Sequence, residues 1–165
     1  MGNITRIGDV FEVTLDKETK KYFQYIANDR SQLNADVIRA FTRSYHVYDE
    51  PGLERVTGDE VAFYAHVVIR WGAKRDLWRR VGNVSDLGDG KVLFRDTDDY
   101  GVKEGEPTTE VSENWYVWRI DGPFQHVGKL QGENRKAEIG IVVSPVDIVH
   151  RMKTGKYHFV YPGFE

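Results

Sequence analysis

Apolar and polar positions alternate with a period of two along much of this chain. Phe11, Val13 and Leu15 alternate with polar neighbours, the pattern of a half-buried strand. Asp16-Lys17-Glu18 reads as a turn, and Tyr22 to Ala27 as the returning strand of a hairpin. Ser31 to Tyr48 carries two patterns. Leu33, Val37, Ile38 and Phe41 have helical spacing behind a Ser31 cap, whereas Val37, Phe41, Tyr45 and Val47 share one parity. The β-formers between Phe41 and Tyr48 favour a strand from about Asp36 to Tyr48. Turn residues follow at Asp49-Glu50-Pro51-Gly52 and Thr57-Gly58-Asp59-Glu60. Val61 to Trp71 then reads as a long, largely buried strand. Leu77–Val81, Lys91–Arg95, Asn114–Ile120, Ala137–Val143 and Tyr157–Tyr161 are further strand candidates. In Asn114–Ile120, Trp115 and Val117 fall on one face, and Tyr116, Trp118 and Ile120 on the other.

One helix signal is complete. Ser144-Pro145-Val146-Asp147 supplies a capping hydroxyl, a proline at the first helical position and an acid at the third. Ile148, Val149 and Met152 form its apolar stripe, and Gly155 suits the left-handed stop. Many short strands with one late helix predict a mainly β, β-dominated α+β fold. It is expected to be a single domain over 1–165, a partly open β-barrel with one C-terminal helix near 145–154.

Composition narrows the chemistry. The 165 residues contain no cysteine, which removes disulfides, thiolate nucleophiles and cysteine-based zinc sites together. The longest apolar run, Val61 to Ile69, has nine residues and includes His66, against about 20 for a membrane-spanning helix. No secretory leader is evident at Met1-Gly2-Asn3, so the expected compartment is the cytoplasm, with no membrane partner. The formal charge is −3, but its distribution is uneven. Residues 1–82 carry 13 basic and 12 acidic side chains, a sum of +1; residues 83–165 carry 10 and 14, a sum of −4.

Two charged stretches are candidate binding elements. Asp96, Asp98, Asp99, Glu104, Glu106, Glu110 and Glu113 are seven acids in one stretch, with Arg95 and Lys103 as the nearby bases. A calcium loop starting at Asp96 would place Pro107 at its twelfth position, where a bidentate carboxylate is required, so no metal site is expected. A docking surface for a basic partner is the functional reading, with Asp96, Asp98, Asp99, Glu104 and Glu106 as acidic rim, and exposed members of the Trp115, Tyr116 and Trp118 set or of the Tyr100 region as candidate anchors. The second stretch, Arg70, Lys74, Arg75, Arg79 and Arg80 around Trp71 and Trp78, has the interleaving that single-stranded nucleic acid needs. The five histidines show no metal-ligand spacing, and His66 reads as a hydrogen-bonded core residue. No nucleophile elbow or phosphate loop is present. An enzyme would have to work without a recognisable motif, and no cofactor is implied.

The strand entry Gly8-Asp9-Val10-Phe11, the Tyr22–Ile26 strand and the segment Leu77-Trp78-Arg79-Arg80-Val81-Gly82-Asn83 resemble the immunity proteins of bacterial polymorphic toxin systems, specifically the immunity protein 26 family. The resemblance covers roughly residues 5 to 95. It implies an SH3-like barrel core and a non-catalytic cytoplasmic protein that binds and neutralises a cognate toxin domain. It carries over no catalytic residue. The leading expectation is therefore a protein-binding module; the alternatives are a nucleic-acid-binding barrel and an enzyme lacking a known motif.

Overall fold

The computed structural model describes residues 4–99 and 109–165. The first hairpin forms where alternation placed it: β1 (Asp9–Thr14) pairs antiparallel with β2 (Thr19–Asp29), Phe11 opposite Phe23. Asp16 builds the turn, its Oδ1 accepting from the N–H groups of Glu18 and Thr19. The ambiguous segment 31–48 contains no helix: 31–34 is a turn and strand begins at Ala35. It makes β3 (Ala35–Phe41), bends, and returns as the short β4 (Tyr45–His46), both on the side of β2 opposite β1. A short helix α1 (Leu53–Thr57) follows. With β5 (Val61–Val67) and β6 (Arg79–Asn83) the first sheet has the order β5-β3-β2-β1-β6, β4 lying off that path against β2.

The expected strand Val61–Trp71 is shorter than its apolar pattern. It stops at Val67, and Ile69–Lys74 forms the helix α2. In a strand, Ile69 and Trp71 would share a face. The helical turn instead buries Ile69 fully and leaves Trp71 49% exposed. Trp78 fixes this arrangement. Its Nε1 donates to the Ile69 carbonyl at 2.9 Å, and its ring lies so close over Gly72 that a Cβ there would be 2.0 Å from the indole.

The second sheet has the order β10-β7-β8-β9, from β7 (Leu93–Thr97), β8 (Trp115–Arg119), β9 (Gln125–Gly128) and β10 (Glu138–Ile139). Only Glu138 and Ile139 of the expected 137–143 strand join this sheet, parallel to Phe94 and Arg95. The chain then crosses to the first sheet, where Val143 N–H donates to the His66 carbonyl at 2.8 Å. The late helix α3 (Pro145–Thr154) has its expected ends: Ser144 Oγ accepts from Asp147 N–H, and Gly155 takes φ 87°. Tyr157–Tyr161 is not a ladder strand. Its odd positions are half-buried, as alternation required, but the tail's first bridge is Gly163 beside Val111.

The layers follow from residue parity. One face of the first sheet (Phe11, Phe23, Tyr25, Ile38, Phe63) packs on Ile148 and Met152 of α3. The opposite face presents Ile26 and Val37 to Val92, Phe94 and Trp118 of the second sheet. The far face of the second sheet, with Trp115 and Val117, is covered by Leu130, Ala137 and the tail residues Tyr161 and Phe164. The fold is β-dominated with a C-terminal helix, and its two sheets stay unclosed, as the partly open form of the expectation requires. Among the described residues no helix is long and apolar enough to cross a membrane.

Candidate functional site

The second sheet is covered on both faces at one end only. Phe94 and Trp118, opposite one another on β7 and β8, are sealed against the first sheet. One pair further along, the same face is open. There the register places Asp96 opposite Tyr116, and Tyr116 opposite His126, a row across β7, β8 and β9. Tyr116 Oη donates to Asp96 Oδ2 at 3.3 Å. Phe124, 42% exposed, packs 4.6 Å from the Tyr116 ring and 5.0 Å from the buried Trp118 ring. Exposed His126 stands edge-on to Tyr116 at 5.8 Å. Burial raises the Tyr116 phenol's pKa, and the Asp96 and Asp98 carboxylates raise it further, so the hydroxyl stays protonated as a donor.

The acidic residues divide by what already holds them. Asp98 faces solvent at the end of β7, and Glu110 is exposed where the chain re-enters. Asp99 is committed to the neck of the connection: its Oδ2 accepts from Ser112 Oγ at 3.0 Å and Asn114 Nδ2 at 2.9 Å, beside a 2.8 Å bond between Thr97 and Ser112 hydroxyls. Asp96 also accepts from Tyr161 Oη at 2.7 Å. Glu113 pairs with Lys129 at 3.3 Å. Tyr100, Glu104 and Glu106 lie outside the described residues.

Neither expected tryptophan anchor presents surface in this fold. Trp115 and Trp118 are 0% and 2% exposed. Both faces of β8 are covered at these positions, so each indole is core. Trp115 Nε1 donates to the Ser112 carbonyl at 2.9 Å, and Trp118 Nε1 to Asp29 Oδ2 at 2.9 Å. The half-exposed aromatics of this region are instead Tyr116 and, missed in the sequence, Phe124 and His126. Their one signal was the Asp121-Gly122 pair after Ile120, a hairpin dipeptide that turns β8 into β9.

Asp29 ties the two sheets together beneath this face. Its fully buried carboxylate accepts from His66 Nε2 at 2.8 Å, Trp118 Nε1 at 2.9 Å and Asp121 N–H at 2.8 Å. His66 is thus the hydrogen-bonded core residue its apolar surroundings predicted. Burial lowers its pKa and outweighs the opposing pull of Asp29. Its Nδ1 is buried with no partner among the described residues, so a second proton there would have nothing to bond.

The basic stretch 70–80 is split in two. Arg79 and Arg80 lie on β6, where Arg79 Nε meets Glu12 at 3.2 Å and Arg80 Nε meets Asp9 at 2.8 Å. Burial works against the charge on Asp9, but hydrogen bonds from Asn83, Arg6 N–H and Arg80 prevail and hold its pKa down. Arg70, Lys74 and Arg75 are exposed on α2 beside Trp71, away from those pairs. Trp78 is buried and takes no part. Among the described residues no three His, Asp or Glu side chains gather as metal ligands.

No protein-family model, curated protein or solved structure matches this chain.

Proposed function

We propose that this chain is a protein-binding module of the immunity type, neutralising a cognate bacterial toxin domain by direct contact through the open end of its second sheet. The observation that carries the reading is the Tyr116–Phe124–His126 aromatic face, flanked by Asp96 and solvent-facing Asp98. Protein interfaces concentrate their energy in a few aromatic or arginine anchors within a polar rim. Acidic rim residues chiefly accelerate encounter with a basic partner. The acidic excess of residues 83–165 agrees with this division of labour, as does the resemblance of the N-terminal half to the immunity protein 26 family.

The test is co-expression with the toxin domain encoded immediately upstream, followed by binding kinetics on the purified pair. Growth rescue and 1:1 association are expected. Y116A/F124A should weaken affinity at least about tenfold, mainly through faster dissociation, and D98K should slow association with little change in dissociation. Failure to rescue growth, or full affinity in Y116A/F124A, would overturn the reading.

A second reading, single-stranded nucleic acid along α2, is favoured by the exposed Trp71 beside Arg70, Lys74 and Arg75. Three phosphate contacts give a log–log salt slope of about −2. Oligonucleotide anisotropy that does not respond to salt excludes it.

A further inference from the structure

A cavity of about 310 Å³ opens between β7, β10, the end of α3 and the tail that follows, at the small end of the range of ligand pockets. It shares no aromatic residue with the proposed docking face. Its charges do not balance. Glu138 is the one acid in the lining, and it is already engaged by Arg151 Nη1 at 3.0 Å. Burial raises its pKa, with the charges of Arg151 and Arg95 pulling the other way. Arg95, also in the lining, has no carboxylate within ion-pair distance among the described residues. Its Nη1 donates to the Ala137 carbonyl, while its Nε is buried with no partner among those residues. Its guanidinium lies 5.4 Å from the Trp115 ring and 5.1 Å from the Phe164 ring. A guanidinium held this way is fixed in place and only partly compensated, because Glu138, whose charge it feels, is already bonded to Arg151; a half-buried charge short of a counter-ion favours an anionic ligand. Exposed Lys156 adds a third cation, at the rim.

The remaining wall is aromatic. Tyr157 and Phe159 stack with centroids 4.8 Å apart and an interplanar angle of 22°. Tyr157 Oη is a buried hydroxyl with no hydrogen-bond partner in good geometry among the described residues, the Arg151 guanidinium lying over its ring at 4.7 Å. One cation without an ion-pair partner of its own, one unused hydroxyl and a flat apolar wall in a small cavity define a complementary ligand. We propose that this cavity binds a small aromatic carboxylate, its carboxylate on Arg95 and its ring against Tyr157 and Phe159. Arginine suits the role because its planar donors match a carboxylate's two oxygens.

Benzoate is the probe, titrated calorimetrically into the full chain, with benzyl alcohol as the uncharged ring and inorganic phosphate as the ringless anion. Saturable 1:1 benzoate binding at millimolar concentration or tighter is expected, with benzyl alcohol and phosphate each at least about tenfold weaker. R95M, which keeps the side-chain length, should weaken benzoate about tenfold or more. Y157F, which keeps the ring wall, should weaken it about threefold and decides the matter if R95M fails to fold. Absence of saturable benzoate binding overturns the proposal, as does unchanged affinity in Y157F and in a folded R95M. Phosphate binding as tightly as benzoate overturns the aromatic assignment.

Discussion

Asp29→Asn is the substitution that most directly probes how the two sheets are joined. Asp29 is fully buried, and its carboxylate accepts three hydrogen bonds from groups far apart in sequence. An asparagine has one oxygen and an NH₂ group in the same space. With the oxygen facing His66 and Trp118, the NH₂ meets the Asp121 N–H, donor against donor. With the oxygen facing Asp121, the NH₂ can donate to His66 only after that ring moves its proton to Nδ1, and Trp118 Nε1 is orphaned. The first arrangement is the less costly, because Asp121 is an exposed residue whose N–H water can reach, whereas the second orphans a buried indole N–H at about 1–3 kcal/mol. In the first the two surviving buried bonds still lose their charge assistance, so a total of about 2–3 kcal/mol follows, a large share of the 5–15 kcal/mol typical of a folded domain. Urea unfolding followed by tryptophan fluorescence measures it directly, because Trp118 is one of the three donors. A D29N midpoint corresponding to less than about 1 kcal/mol of destabilisation would refute the reasoning.

Three further outcomes are expected. His66 has a native pKa below its ordinary 6.5, so the unfolded chain binds more protons once the pH falls to that value. Its stabilising contribution is present above about pH 6.5 and is lost on acidification until the native pKa is reached, at a slope of up to about 1.4 kcal/mol per pH unit; in H66Q that part of the pH dependence, read from urea midpoints, should vanish. Gly72→Ala tests sterics against propensity: alanine gains about 1 kcal/mol in a helix, but its Cβ would overlap a Trp78 ring held by Ile69. Overpacking costs about 1–3 kcal/mol, so net destabilisation is expected in thermal unfolding, and a stabilised variant would show the ring to be free to move. Ser144→Ala removes the cap on α3 and should cost about 1 kcal/mol, a fall of roughly 3 °C in melting temperature for a chain of this size.

What could be read in the sequence was whatever its own neighbours decide. β1 and β2 were legible because alternation and a turn sit within twenty residues, and α3 because its cap, proline and terminal glycine are adjacent to its stripe. The Val61–Trp71 segment was misjudged because its apolar run fits a buried strand; what ends the strand is Trp78, which bonds Ile69 and presses on Gly72 from outside the window. The tail 157–161 kept its alternation and lacked a ladder, since pairing depends on a neighbour that periodicity does not name. β9 has four residues, half of them exposed, too few and too polar to register.

The candidate site shows the same division. The acidic stretch was legible as charge, while among the aromatics Tyr116 was legible only as one of a set with the buried Trp115 and Trp118, and Phe124 and His126 not at all. Alternation separates two faces of a strand but cannot say which is open, and on β8 both are covered as far as Trp118. The opening begins one residue pair later, at Tyr116, because the first sheet ends its cover where Asp29 fastens Trp118. That fastening also bears on the proposed function. Phe124 rests on the Trp118 ring and on Tyr116, so the aromatic face stands on a side chain already immobilised by a buried carboxylate. Anchors ordered before binding lose less conformational entropy when a partner arrives. Loosening Trp118 in D29N should therefore weaken partner binding even at temperatures where the variant remains folded, and an affinity unchanged by D29N would mean that Tyr116 and Phe124 are positioned by the β8–β9 hairpin alone.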